Sequence, residues 1–91
     1  MYMRAYVFSV LIEDSLEAVI KVLLTTRQAQ AKLISAEVCE SGMDNVKLLT
    51  MSVSLKPEKA EWLKRKLSNL PVVLEVDCTT LGAGLNKVSN V

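Results

Sequence analysis

Val7 to Val22, VFSVLIEDSLEAVIKV, changes its spacing halfway along, and that change decides the fold. Val7, Phe8, Val10, Leu11 and Ile12 are β-branched or bulky apolar residues, the composition of a strand covered on one face or both. From Asp14 the period becomes helical. Leu16, Ile20, Leu23 and Arg27 share one face, flanked by Val19 and Leu24, while Glu17, Lys21, Thr25 and Gln28 share the other. Asp14 is placed to cap this helix, and Glu17, three residues on, to complete a capping box. A strand turning this tightly into a helix presents backbone amides and the positive end of a helix dipole at one corner. That corner suits an anionic group such as the carboxylate of a small ligand, and it needs a cap whether or not anything binds there.

Working outward, Met1 to Ile12 reads as the first strand and Ser15 to about Gln28 as the first helix. Ala29 to Glu40 follows, with Ile34, Ala36 and Val38 as the core face of a second strand. Glu40-Ser41-Gly42-Met43-Asp44-Asn45 is rich in turn formers and predicts a hairpin. The returning strand, Val46 to Leu55, alternates Leu49, Met51, Val53 and Leu55 with Thr50, Ser52 and Ser54. Pro57, Glu58 and Glu61 then open a second helix, whose apolar stripe is Ala60, Leu63, Leu67 and Leu70 and whose end is set by Asn69 and Pro71. Lys64-Arg65-Lys66 falls on its solvent side. Trp62 lies off the stripe, as either a lid over the core edge or a contact for a partner. Val72, Leu74, Val76 and Cys78 alternate with Val73, Glu75, Asp77 and Thr79 in a fourth strand.

The order strand, helix, strand, strand, helix, strand predicts an α+β ferredoxin-like plait, with both helices on one face of a four-stranded antiparallel sheet ordered 4-1-3-2. Residues 1–79 form the domain, and residues 80–91, loosened by Gly82 and Gly84, form a tail that is flexible or ordered by a partner. Cys39 and Cys78 then sit about three strand spacings apart, roughly 14 Å, beyond disulfide reach.

Ninety-one residues with 51% hydrophobic and 23% charged side chains suffice for one packed core and exclude a disordered chain. Eleven basic against ten acidic residues leave a net charge of +1, which gives no broad field for nucleic acid or an anionic membrane. With no histidine, triad and histidine acid–base chemistry is excluded, and two separated cysteines are no zinc set. No constellation supports an enzyme, no cofactor or metal is expected, and Gly82-Ala83-Gly84 is no nucleotide fingerprint. The N-terminus reads as neither a signal peptide nor a spanning helix, so a cytoplasmic protein is expected.

Four passages carry a resemblance: Ser9-Val10-Leu11-Ile12-Glu13-Asp14, then Ala18-Val19 with Lys21-Val22, then Ile34-Ser35-x-x-Val38, and Leu67-Ser68-Asn69-Leu70-Pro71-Val72-Val73-Leu74-Glu75-Val76. Over about residues 4 to 79 they resemble an ACT domain, in particular that of the small regulatory subunits of acetolactate synthase. The chain departs from that pattern where the family commonly has glycine before the first helix, here Asp14-Ser15-Leu16-Glu17. It departs again where Arg-Gly-aromatic-Asn-Ile is usual, here Arg27-Gln28-Ala29-Gln30-Ala31-Lys32-Leu33.

The resemblance implies a non-catalytic regulatory domain of amino-acid metabolism, a homodimer with a tetramer left open, and a catalytic subunit as partner. An amino acid or similar metabolite would bind between copies, near Asp14, Ser15, Leu16 and Glu17 of one and Lys32 and Leu33 of the other. The copies would join along the second strand through Lys32, Ile34, Ala36, Val38 and Glu40, whose unpaired edge permits one continuous sheet. Lys32, Glu37 and Glu40 could equally blunt that edge. Two alternatives stand beside this one: an interaction module with no ligand, and, remotely, an RNA-binding plait stacking bases on Tyr6 and Phe8.

Overall fold

The computed structural model describes residues 2–81. Its elements are β1 (Arg4–Glu13), α1 (Leu16–Gln28), β2 (Lys32–Glu40), β3 (Val46–Leu55), α2 (Pro57–Ser68) and β4 (Val73–Thr80). The strands form one antiparallel sheet in the order β2-β3-β1-β4, and both helices lie on one side of it. This is the expected plait. β4 runs through Thr80, and the rest of the expected tail, from residue 82, lies outside the described residues.

The central strands hold the core. Tyr6, Phe8, Val10 and Ile12 of β1 face the helices in register with Val53, Met51, Leu49 and Lys47 of β3, and Leu55 adds to the same layer. α2 lowers Ala60, Leu63 and Leu67 onto it. Pro57 opens this helix, where its missing N–H costs nothing, and the Asn69 amide closes it on the Arg65, Lys66 and Leu67 carbonyls. Trp62 is a half-buried lid on the core margin, with Lys59 and Lys66 at 5.2 and 5.5 Å from its ring. In the hairpin turn Gly42 (φ +90°) and Asn45 (φ +62°) take the left-handed conformation, and the Ser41 hydroxyl closes the loop on the Val46 carbonyl at 2.6 Å.

Three sequence expectations are overturned here. α1 buries Ala18, Val22, Thr25, Thr26 and Ala29, whereas Leu16 (72% exposed), Ile20 (51%), Leu23 and Leu24 (50%) face outward. At 100° per residue the two sets lie roughly 150° apart around the axis. Small side chains let the helix settle closely on the sheet. The buried threonines are satisfied locally, each hydroxyl donating to the carbonyl four residues back at 2.8 Å.

The second correction concerns β2, where every residue is exposed, the expected core face Ile34, Ala36 and Val38 included. A register shift between Leu33 and Ser35 extrudes Ile34. Leu33, Ala36 and Val38 then stand opposite buried Val53, Met51 and Leu49, on the helix side, and yet remain exposed. β4 repeats the device. Its register shifts opposite the Leu11–Ile12 step, so Val73 takes the place opposite Ile12 and Leu74 is left exposed.

The third is the aromatic face. Tyr6 and Phe8 point into the core, and the opposite, open side of the central strands carries Ala5, Val7, Ser9, Leu11, Leu48, Thr50, Ser52 and Ser54. Without an aromatic there, base stacking on this sheet has no platform.

The orientation of α1 is checked by paired substitutions. A carboxylate at Val22 would be buried without a partner, at a cost comparable to the whole stability of a domain this size. Val22→Asp therefore loses its folded circular-dichroism spectrum at 25 °C, and Ile20→Asp keeps it.

Candidate functional site

The β1–α1 corner is built largely by its own backbone. The Glu13 amide donates to the Val72 carbonyl at 2.9 Å, the Asp14 amide to the Asn45 carbonyl at 3.0 Å, and the Ser15 amide to the Glu13 carbonyl at 2.8 Å. Ser15, not Asp14, caps the helix, its hydroxyl accepting from the Ala18 amide at 3.1 Å. The expected capping box is absent, and Glu17 instead pairs with Lys21 one turn on, at 3.2 Å. Three of the corner amides that could have cradled a carboxylate are thus already engaged, so an anion would find a weaker cradle here than the sequence suggested.

Beside the corner, Asp14, Ser15, Leu16, Val19, Val38 and Lys47 line an open cavity of about 330 Å³. Its walls are mainly the side chains of Leu16, Val19 and Val38. The polar rim is an ion cluster in which the Lys47 ammonium donates to the Glu40 carboxylate and lies 4.0 Å from Asp14 Oδ2. That hydrogen bond, supported by the Asp14 charge, holds the Lys47 pKa above the ordinary lysine value. Lys47 therefore stays charged through neutral pH, and on the basic side the pairing is lost as pH rises through that raised value. Two carboxylates around one ammonium leave the rim net negative, which favours a cationic or neutral group over a second carboxylate.

Of the expected ligand contacts, Asp14, Ser15 and Leu16 meet at this cavity, and Glu17 faces solvent with Lys21. Lys32 and Leu33 lie at the other end of β2, eight residues from Glu40 and so about 26 Å away. Within one chain the two halves of the expected site do not meet. Lys47 and Val19 were missed. The signal for Lys47 was available, since the hairpin turn puts it opposite Glu40. Among the described residues no group of three or more Cys, Asp or Glu side chains could hold a metal, and no helix is long and apolar enough to cross a membrane.

No protein-family profile matches the chain, and no curated protein matches it in sequence. Solved structures do match it in fold. An ACT domain from the GTP pyrophosphokinase of Chlorobium tepidum superposes with a TM-score of 0.72 at 13% identity, over 86% of this chain and all of that one. The C-terminal domain of the MgtC protein from Mycobacterium tuberculosis gives 0.69 at 22% identity, covering 86% of this chain and 87% of the other. A homoserine dehydrogenase from Thiobacillus denitrificans gives 0.70 at 9% identity, where 87% of this chain matches 17% of that enzyme. The fold is therefore of the ACT type. Identities this low establish architecture and leave function to the residues.

The identity of the cap is open to measurement. Ser15→Ala should lower unfolding stability in urea by about 1 kcal/mol, and Asp14→Ala, at a half-exposed carboxylate 4.0 Å from its partner, by less than about 0.5 kcal/mol.

Proposed function

We propose that this chain is a non-catalytic regulatory domain of ACT type that works as a pair, joined side by side along β2. The observation that carries the reading is a continuous uncovered apolar surface. Leu33, Ile34, Ala36 and Val38 on β2 are exposed beside the outward stripe Leu16, Ile20, Leu23 and Leu24 of α1, and the cavity lined by Leu16, Val19 and Val38 joins the two elements. An apolar surface of this extent beside an unpaired strand edge is characteristic of an interaction site. Covering it contributes about 1.5–3 kcal/mol for each large side chain fully removed from water, and proportionally less for one already half covered.

An antiparallel β2–β2 pair about a twofold axis brings Lys32 and Leu33 of one copy alongside the Val38–Glu40 end of the other. Such a pair rejoins the two halves of the expected ligand site across the interface. A metabolite held there would meet apolar walls, Lys32, and the Asp14–Lys47–Glu40 cluster. The engaged corner amides favour the second reading, an interaction module without a ligand. A catalytic partner subunit and a place in amino-acid metabolism follow from the likeness of the sequence passages to acetolactate synthase small subunits, a cytoplasmic location from the composition of the N-terminus, and a 1–79 domain from Gly82 and Gly84 beyond it.

Gel filtration with light scattering at tens of micromolar should give the mass of two chains. Leu23→Asp and Ile34→Asp should each raise the dissociation constant of the pair by at least about tenfold, or 1.4 kcal/mol, while leaving the fold intact. A monomeric wild-type chain at that concentration contradicts the proposal.

A further inference from the structure

The side of the sheet turned away from the helices has an uncharged centre. Of the side chains that the two middle strands place there, Ala5, Val7, Leu11 and Leu48 are apolar and Ser9, Thr50, Ser52 and Ser54 are short hydroxyls. The register extends these rows to the edges. Leu48 and Leu11 lie between Cys39 and Glu75, Thr50 and Ser9 between Glu37 and Asp77, and Ser52 and Val7 between Ser35 and Thr79. Glu37, Glu75 and Asp77 make the margins acidic on both edges, and Lys32 stands at one corner, opposite Ser54. An uncharged centre inside a charged rim is the anatomy of a face that something covers.

The chain supplies an occupant of fitting size and charge. Thr80, the last residue of the edge strand β4, pairs with Tyr6, so the chain leaves the sheet at the Ala5 end of this face. At Leu81, which is half-buried, the backbone turns from strand to helical conformation. The ten residues that follow, GAGLNKVSNV, lie outside the described residues. In their sequence Leu81, Leu85 and Val88 recur at intervals of four and three, the spacing of one side of a helix, with Val91 on its flank and Asn86, Lys87 and Asn90 on the other side. Ten residues cover about 15 Å as helix and about 33 Å extended, against about 20 Å from Ala5 to Leu11 along β1. Lys87 is the one charged side chain of the segment, opposite in sign to the acidic margins. A second copy laid face to face on the same surface would set acidic margin against acidic margin.

We propose that residues 82–91 pack over this face of their own chain, with Leu85 toward Val7, Val88 and Val91 toward Leu11 and Leu48, and Lys87 toward the acidic margin. A tethered segment meets its own surface at high effective concentration, so a modest apolar contact suffices to hold it. The contact uses neither the outer edge of β2 nor the outward flank of α1, and so does not depend on pairing of chains.

The test is a methyl NOE spectrum of the ¹³C,¹⁵N-labelled full-length chain, with an isotope-filtered spectrum of mixed labelled and unlabelled chains to separate contacts within a chain from contacts between chains. NOEs from the Leu85 and Val88 methyls to those of Val7, Leu11 or Leu48 should appear within a chain. Leu85→Asp should abolish the Val88 contacts and shift the amides of Val7, Ser9, Leu48 and Thr50, with those of Leu63 and Leu67 in the core unmoved. Lys87→Glu should reduce the intensity of the same NOEs. Leu23→Asp, which separates the pair, should leave them unchanged, so the two proposals fail independently. The proposal is overturned if no such NOE is seen within a chain, if the contacts to Val7, Leu11 and Leu48 arise only between chains, or if Leu85→Asp leaves the amides of Val7 and Leu48 in place.

Discussion

Helix α1 meets the sheet through small side chains, and most of what is distinctive in the molecule follows from that contact. Ala18, Val22, Thr26 and Ala29 bring the helix close over β1 and β3 and leave the bulky apolar residues nowhere to go but outward. With α1 drawn in over the centre, β2 stays exposed along its length. Its Leu33, Ala36 and Val38 sit opposite core residues of β3 and still face water. A chain of this size ordinarily keeps so much apolar surface exposed only if something covers it.

The plait itself was legible in the sequence because its signals are local. The change from strand to helical spacing at Glu13–Ser15, the Gly42 and Asn45 turn, Pro57 opening α2 and the alternation of β3 all recur in the structure at nearly the expected positions. Strand order followed from chain connectivity and handedness. The face of α1 was not legible. Apolar residues lie on two sides of it, Leu16, Ile20, Leu23 and Leu24 on one and Ala18, Val22 and Ala29 on the other, and periodicity selects the larger residues when in fact the smaller ones are buried. Nor were the displacements at Ile34 and Leu74, because one extruded residue reverses an alternation that otherwise reads cleanly.

The candidate sites divide along the same line. Asp14, Ser15 and Leu16 were found because a strand–helix corner is a sequence-local feature, although the cap fell to Ser15 and Asp14 was left to Lys47. Val38 and Lys47 come from β2 and β3 and meet that corner only once the sheet is assembled.

The central claim is that the outer edge of β2 and the outward flank of α1 are covered by a second copy of the chain. Amide hydrogen exchange read residue by residue at rising protein concentration addresses it most directly. Alternate β2 amides point away from β3, and in an isolated chain they exchange freely at any concentration. The account predicts that their protection grows with concentration, while the protection of β1 and β3 amides reflects the core throughout. Rapid, concentration-independent exchange of those outward amides would contradict it.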